Sequence, residues 1–305
     1  MIVIRDLVVS YRGGFRRPPV KALAGIDLTI EAGDCFGLLG HNGAGKSTAL
    51  GCLLGLIRPT AGEVTVLGER PWAGAETFRH VGYLPEEPIY HGHLTIAEAL
   101  TYYARLQGIR DAGARMTPLL ERLDLAQWRD LRIDRCSKGM KQKVGIIQAL
   151  LHEPRLLLLD EPMRGLDPLA VMAFRDLLIE ANARGTTIVL SSHLLGEVEQ
   201  VARHVAILDR GRVVAHDSVA NLTRQREPRY AIALAATDAM PDGLPGLDQP
   251  TRVDGQVHGT VAPDALYDFL DGVRARQLTL VSCALERATL EEAYLNIVTE
   301  GTRHA

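Results

Sequence analysis

The stretch Gly40-His41-Asn42-Gly43-Ala44-Gly45-Lys46-Ser47-Thr48 decides the architecture predicted for this chain. It fits the pattern G-x-x-x-x-G-K-[ST] at every required position. Residues 34–39 before it are a short, mainly apolar run predicted to form a buried strand, and residues 48–54 are predicted to continue as a helix. Glycines let such a loop wrap tightly, so that backbone N–H groups and the positive end of the helix converge on phosphate oxygens. The sequence therefore predicts a nucleoside triphosphate site.

The polar members of this loop have separate predicted roles. Lys46 would reach the β- and γ-phosphates, and Ser47 would offer its hydroxyl to Mg²⁺. Thr48 would add a phosphate contact. A glycine-rich turn that happens to precede a lysine is the alternative, and the predicted strand and helix on either side argue against it.

The composition describes an ordinary globular protein. With 305 residues and a formal net charge of −3, the chain has room for one large or two modest domains and no overall field that attracts nucleic acid. Its four cysteines form no C-x-x-C pair, and no apolar signal precedes the first predicted strand, which favours a reduced, cytoplasmic protein. The apolar runs are shorter than the roughly 20 residues that span a bilayer, so another chain would supply any spans.

A charged run at residues 224–228 is a candidate linker, and it divides the chain into a predicted nucleotide-binding domain over residues 1–222 and a small α+β domain over 223–305. The first contains a helical stretch at about 86–153, with a helix capped by Thr95 and another predicted over 118–125. In the second, residues 251–261 are predicted as one bent strand and residues 239–250 as an irregular loop. The other predicted strands are residues 1–11, 24–30, 63–68, 155–160, 186–191, 205–208, 212–215, 230–234 and 278–284.

Two adjacent carboxylates stand at the end of the Leu-rich strand predicted at residues 155–160: Asp160 ends the strand, and Glu161 follows it. Asp160 would lie at the carboxyl edge of a parallel sheet, where it is predicted to hold Mg²⁺, usually through water. Glu161 would orient the attacking water and accept its proton beside the γ-phosphate, which makes it the predicted base. A simple strand-end turn is the alternative when the pair is considered alone. The phosphate loop upstream favours the catalytic interpretation.

Further motifs occur in the order and approximate spacing of ATP-binding-cassette (ABC) ATPases, and residues 1–222 resemble this family. Residues 136–142 (Cys-Ser-Lys-Gly-Met-Lys-Gln) resemble its LSGGQ signature, although Lys138 and Met140 depart from the commonest form. Residues 165–168 (Gly-Leu-Asp-Pro) resemble its D-loop, and His193 matches its switch histidine. The resemblance implies an α/β fold: a P-loop NTPase core with an antiparallel β subdomain and a helical subdomain.

The resemblance also implies roles for individual residues. Ser137 and Gly139 would cap the γ-phosphate of ATP held by another subunit, and Asp167 would couple the two sites. His193 would contact the γ-phosphate and position the attacking water. Tyr11 stands where the family places an aromatic residue that stacks on adenine. The alternatives are a Ser-capped helix start, a D-loop that is only a turn, a structural histidine and a packed strand-end tyrosine.

The clearest departure from the family is Glu86, which stands where the Q-loop normally carries glutamine. An ionised glutamate only accepts hydrogen bonds, whereas glutamine also donates them. Glu86 is predicted to bind Mg²⁺ directly or through water and to strengthen the dependence of hydrolysis on Mg²⁺. The alternative is a surface glutamate in a proline-flanked loop.

Taken together, the resemblance implies an ATPase subunit that uses ATP and Mg²⁺ as half of a head-to-tail homodimer or paralogous heterodimer. The chain would energise a separate integral-membrane permease, as in bacterial ABC exporters, and would attach peripherally to the inner face of the membrane. Ile89, Tyr90 and Leu94 are candidate contacts for a permease helix, and packing within the helical stretch is the alternative role for them.

Two other functions remain open at this point. One is a soluble ABC ATPase acting on nucleic acid or ribosomes, with Arg12, Arg16, Arg17 and Lys21 as a phosphate-binding loop, although no nucleic acid is expected. In the other, the C-terminal domain is a regulatory ligand sensor.

Overall fold

The computed structural model describes residues 1–12, 19–74, 76–224, 229–235, 243–286 and 289–303. In chain order its strands are β1 (Ile2–Tyr11), β2 (Val20–Ile30), β3 (Cys35–Leu39), β4 (Ala61–Val66), β5 (Val81–Leu84), β6 (Leu156–Asp160), β7 (Thr187–Ser192), β8 (His204–Asp209), β9 (Arg212–Ser218), β10 (Arg229–Leu234), β11 (Leu247–Val253), β12 (Gln256–Val261) and β13 (Leu280–Glu286).

The α-helices in the same ranges are α1 (Lys46–Leu53), α2 (Ile96–Leu106), α3 (Ala112–Arg122), α4 (Lys138–Leu150), α5 (Pro168–Ala183), α6 (Leu195–Glu199), α7 (Val219–Leu222), α8 (Leu266–Ala275) and α9 (Leu290–Arg303). Single-turn 3-10 helices occur at Thr77–His80, Ala126–Trp128, Ile133–Arg135 and Pro263–Ala265.

The described chain divides into two compact units. The larger contains Met1–Val219 together with the end of the chain from Ile297, and the smaller is Ala220–Asn296. Among the described residues, no helix is both long enough and apolar enough to cross a bilayer.

The centre of the larger unit is a six-stranded sheet in the order β5-β6-β7-β3-β8-β9. Its strands run parallel except for β9, which pairs antiparallel with β8 as a hairpin. β3, β6 and β7 are buried along their whole length, as expected for parallel strands covered on both faces. Adjacent placement of these three strands brings the loops after their carboxyl ends together.

An antiparallel sheet in the order β2-β1-β4 lies beside this core. Its inward side chains join one buried apolar cluster with α1 and the central sheet, which includes Ile4, Ile26, Leu50 and Leu158. Burial of that cluster anchors α1 directly behind the phosphate loop.

The helical stretch follows the predicted pattern with one correction. Thr95 caps α2 with a full capping box, because its hydroxyl accepts from Glu98 N and the Glu98 carboxylate accepts from Thr95 N. The helix predicted over 118–125 instead spans Ala112–Arg122. It begins six residues earlier because the carboxylate of Asp111 caps Ala114 N, and Pro118 lies inside it.

The smaller unit contains an antiparallel sheet in the order β11-β12-β10-β13. Phe269 and Val273 of α8 pack on its apolar side chains. The prediction of one bent strand over 251–261 is wrong: Asp254 and Gly255 both have positive φ, at 48° and 78°, and form a tight turn between β11 and β12. β11 also includes residues 247–250, which were predicted as loop, while residues 239–242 lie outside the described ranges.

Cysteine reactivity tests this packing. Cys35, Cys52 and Cys136 are buried, and burial raises the pKa of Cys35 to about 12 and that of Cys52 to about 11. Because the thiolate is the reactive form, we expect only the exposed Cys283 to react quickly with dithionitrobenzoate at pH 8. All four should react in denaturant. Rapid reaction of a second thiol in the native protein would contradict the packing of the core.

Candidate functional site

Three loops meet at the carboxyl edge of the central sheet. The phosphate loop follows β3, Glu161 follows β6, and His193 follows β7. β7 pairs with both β3 and β6, so its loop lies between the other two. The sequence motifs therefore converge in space through the strand order alone.

Backbone geometry fixes the phosphate loop. Gly45 has φ of 112°, and a Cβ at this position would lie 2.8 Å from the carbonyl oxygen of Ala22. Lys46 follows as the first residue of α1 and is only 6% exposed. Its Nζ donates to the carbonyl oxygens of Gly40 (2.6 Å) and His41 (3.3 Å). The ammonium group is thus folded back over the loop that is predicted to cradle phosphates.

Glu161 is the second buried charged group of the site. Its Oε1 lies 3.4 Å from Lys46 Nζ, and its Oε2 accepts from His193 Nδ1 at 2.7 Å. Its backbone has φ of 47°, a strained left-handed conformation for a non-glycine residue. Its N–H donates to Ser191 O and Ser191 Oγ, which hold this conformation. Strand β7 therefore supports the predicted base directly.

Asp160 lies deeper than Glu161 at the same strand end. It is 5% exposed, and its Oδ1 accepts from Ser191 Oγ at 2.5 Å. It does not line the open cavity described next. This depth suits a carboxylate that reaches a cation through water, as the sequence predicts.

An open cavity of about 580 Å³ lies over the phosphate loop. Tyr11 lines one part of it, and its hydroxyl lies 3.3 Å from Thr48 Oγ1. Predicted site residues that line it are Tyr11, His41, Asn42, Gly43, Gly45, Lys46, Ser47, Thr48, Glu86, Glu161 and His193. Gly40 and Ala44 complete the loop without lining the cavity. The exposed Ser47 hydroxyl and the Gly45 turn fit a bound triphosphate with Mg²⁺.

The signature and D-loop residues lie outside this cavity. Ser137 caps α4 by accepting from Met140 N at 3.1 Å, which leaves its own hydroxyl hydrogen available to another acceptor. A Cβ on Gly139 would lie 2.8 Å from the Gly165 carbonyl, so this glycine permits close packing against the D-loop. Asp167 caps α5 and pairs with Lys143 of α4 at 3.5 Å. The pKa of Asp167 is lowered, mainly because its carboxylate accepts the hydrogen bond from Ala170 N.

Glu86 lines the cavity, but its carboxylate forms an ion pair with Arg164. Next to it, Glu87 pairs with Lys138 Nζ at 2.8 Å. Arg164 belongs to none of the predicted motifs, although it stands only three residues after Glu161. The predicted contact of Glu86 with Mg²⁺ competes with this ion pair.

Further charged and polar contacts extend the site, and the sequence predicted no role for Arg210, Asp209 or Glu197. Lys21 and Arg210 line the cavity and add positive charge to it. His41 Nε2 contacts Asp209 Oδ1 at 3.0 Å, which joins the phosphate loop to the end of β8. Burial is the main cause of the raised pKa of Glu197 in α6. The nearby His193 lowers this pKa, and the nearby Glu161 raises it further. The contact between His41 and Asp209 joins residues 168 positions apart, so no local sequence motif predicts it.

A second groove, of about 390 Å³, lies on the larger unit away from the phosphate loop and has largely apolar walls. Pro85, Pro88, Ile89 and Tyr90 line it, opposite residues of α2 and α4. Ile89 is 88% exposed, whereas Tyr90 donates its hydroxyl hydrogen to Gln148 at 3.0 Å. Leu94, the third predicted permease contact, is not among its walls.

Comparisons with known proteins agree on one family. The profile described as "ABC transporter" matches residues 23–164. An uncharacterised ABC transporter ATP-binding protein of Nostoc sp. is 38% identical, with 97% of this chain and 89% of that protein covered. The bacitracin transport ATP-binding protein BcrA of Bacillus licheniformis is 39% identical over 64% of each chain.

A solved structure of the ATP-binding subunit of an ABC transporter is also similar. Its TM-score is 0.67 at 36% identity, and the match covers 74% of this chain and 92% of that one. The predicted P-loop NTPase fold class is thereby confirmed. The chain belongs to the family of ABC transporter ATP-binding proteins.

Proposed function

We propose that this chain is the ATP-hydrolysing subunit of an ABC exporter and drives a separate membrane permease from the inner face of the membrane. The convergence of Lys46, Glu161 and His193 beside the phosphate loop carries the ATP-hydrolysing part of this proposal, and the similarity to a bacitracin transport ATP-binding protein supports the transport part. These side chains lie at one part of a cavity whose walls also include the predicted adenine contact Tyr11.

In this proposal each residue acts on a different part of the reaction. Lys46 moves from the loop carbonyls to the terminal phosphates, and Glu161, freed from that cation, orients water and accepts its proton. His193 keeps the carboxylate in place through the 2.7 Å contact and contacts the γ-phosphate. Ser47 and, through water, Asp160 would hold Mg²⁺, which would supply neutralising positive charge to the phosphates.

The proposed working unit is a head-to-tail dimer. Ser137 and Gly139 lie outside the cavity of their own chain, so they are available to cap ATP on a second copy or a paralogue. The Ser137 hydroxyl hydrogen and the start of α4 provide the donors for a γ-phosphate. ATP would close this dimer, and loss of the γ-phosphate would open it.

The apolar groove beside Ile89 is the proposed docking surface for a permease helix. We expect Ile89→Asp to lower the amount of membrane protein copurified from detergent-solubilised membranes by about tenfold, since a buried isoleucine contributes about 1.5–3 kcal/mol. ATP hydrolysis by the purified variant should match the wild type, because Ile89 does not line the nucleotide cavity. Unchanged copurification would count against this surface.

The same copurification tests the function as a whole. A polytopic membrane partner together with ATP hydrolysis by the wild-type chain is expected. Association that nuclease treatment removes would instead favour action on nucleic acid, for which the comparisons give no support. Of the basic residues considered for that alternative, Arg16 and Arg17 lie outside the described ranges.

A further inference from the structure

Arg164 is a cation at the catalytic part of the cavity to which no role has been assigned. Its backbone N–H donates to the carbonyl oxygen of Glu161 at 3.2 Å, so both residues belong to one turn after β6. Its side chain lines the same cavity as Lys46 and His193. The backbone of Arg164 is therefore tied to that of the predicted base.

Glu86, which also lines the cavity, holds this guanidinium. The two residues are 78 positions apart in sequence, and both side chains remain nearly half exposed to the cavity and solvent. A guanidinium has five N–H donors in a fixed fork, so a carboxylate on one edge leaves others free for a phosphate. The ion pair orients the cation without exhausting its donors.

The charges at this part of the cavity also favour a role for Arg164 in phosphate binding. Glu161 and Glu86 place two carboxylates near the predicted terminal phosphate, and Lys46 alone offsets only one of them. Arg164 pairs with the other carboxylate, that of Glu86. Without it, Glu86 would repel a triphosphate more than a diphosphate, since the extra charge lies at the terminal group.

We infer that Arg164 binds the terminal phosphate of ATP and that Glu86 is its positioning residue, an inference that rests on the proposed ATP site. Arg164 then distinguishes a nucleoside triphosphate from a diphosphate. In this arrangement the Glu86 carboxylate serves the guanidinium and is not a ligand of Mg²⁺.

Equilibrium binding of AMP-PNP and of ADP, each with Mg²⁺, tests this inference without hydrolysis. We expect Arg164→Ala to weaken AMP-PNP binding about tenfold, as for a charge-assisted hydrogen bond, and to change ADP binding by less than about twofold. Arg164→Lys should recover part of the loss. Arg70→Ala, which breaks an exposed Arg–Glu pair that does not line the cavity, should leave both affinities unchanged.

The double variant Arg164→Ala/Glu86→Gln distinguishes two roles of Arg164: binding the phosphate, and neutralising the charge of Glu86. The loss of AMP-PNP affinity caused by Arg164→Ala should persist in a Glu86→Gln background. Restoration of wild-type affinity in the double variant, or equal losses for AMP-PNP and ADP, would overturn the inference. If the Glu86→Gln single variant needed a different Mg²⁺ concentration for AMP-PNP binding, Glu86 would be a Mg²⁺ ligand, and its assignment as the positioning residue of Arg164 would be wrong. Failure of the wild type to bind either nucleotide would instead refute the proposed ATP site.

Discussion

Replacing Lys46 by alanine is expected to lower ATP affinity at least about a hundredfold and to leave no measurable hydrolysis. The lysine is 6% exposed and already folded over the phosphate loop, where its ammonium contacts the carbonyl oxygens of Gly40 and His41. Hydrogen bonds to charged groups contribute about 1.5–3 kcal/mol each, and Lys46 would make more than one to the β- and γ-phosphates. Binding of a fluorescent ATP analogue and phosphate release measure the two effects.

A matched control separates this loss from general damage. Arg70→Ala removes a cation outside the cavity and should retain wild-type binding. Removal of Lys46 also takes away the cation 3.4 Å from the buried Glu161, so the thermal unfolding midpoint must be recorded for each variant. A folded Lys46→Ala protein that binds ATP normally would refute the assigned phosphate site.

Glu161→Gln is expected to reduce hydrolysis by about 10²–10⁴-fold while ATP remains bound. The amide has nearly the size of the carboxylate, and its oxygen can still accept from His193, so the turn should persist. It cannot take a proton from water. Because ATP then stays in place, light scattering should detect a dimer with ATP that is absent with ADP.

Glu63→Gln is a suitable control, because this exposed carboxylate does not line the cavity. It should hydrolyse ATP like the wild type. Full activity in Glu161→Gln would show that another group is the base, whereas a persistent monomer at saturating ATP would count against the closed dimer.

Local motifs were sufficient to predict the strands and the helix next to the phosphate loop and Glu161. The spacing of glycines, Lys46 and Ser47 predicted a loop between strand and helix, and β3 and α1 confirm it. The apolar run 155–160 predicted a buried strand, which β6 confirms. These predictions succeeded because each depends on residues close together in sequence. The predicted domain boundary near Leu222 and the roles of the site residues remain predictions.

Long-range contacts and backbone strain could not be predicted in this way. The ion pair between Glu86 and Arg164 joins loops separated by 78 residues. The left-handed backbone of Glu161 depends on Ser191 in a neighbouring strand. The hairpin at Asp254-Gly255, by contrast, could be predicted locally, because Asp-Gly is a recognised signal of a hairpin turn. The prediction of a bend within one strand was wrong because the chain reverses direction there.

The central claim is that Lys46 of one chain and Ser137 of another act on the same ATP. Two defective chains can test it, both carrying Glu161→Gln so that bound ATP is not hydrolysed. One also carries Lys46→Ala, and the other Ser137→Asp. Aspartate keeps an acceptor for Met140 N at the start of α4 but places a negative charge towards the γ-phosphate, so it removes the proposed contact and preserves the cap.

The measurement is ATP retained by each protein alone and by an equimolar mixture. In a mixed dimer, composite sites put both lesions in one pocket and leave the other intact. Half of the dimers in the mixture are mixed, so retention should rise from near zero to about a quarter of that of the Glu161→Gln parent. If Lys46 and Ser137 instead served the pocket of their own chain, every pocket would carry a lesion, and the mixture would retain no more ATP than the separate proteins.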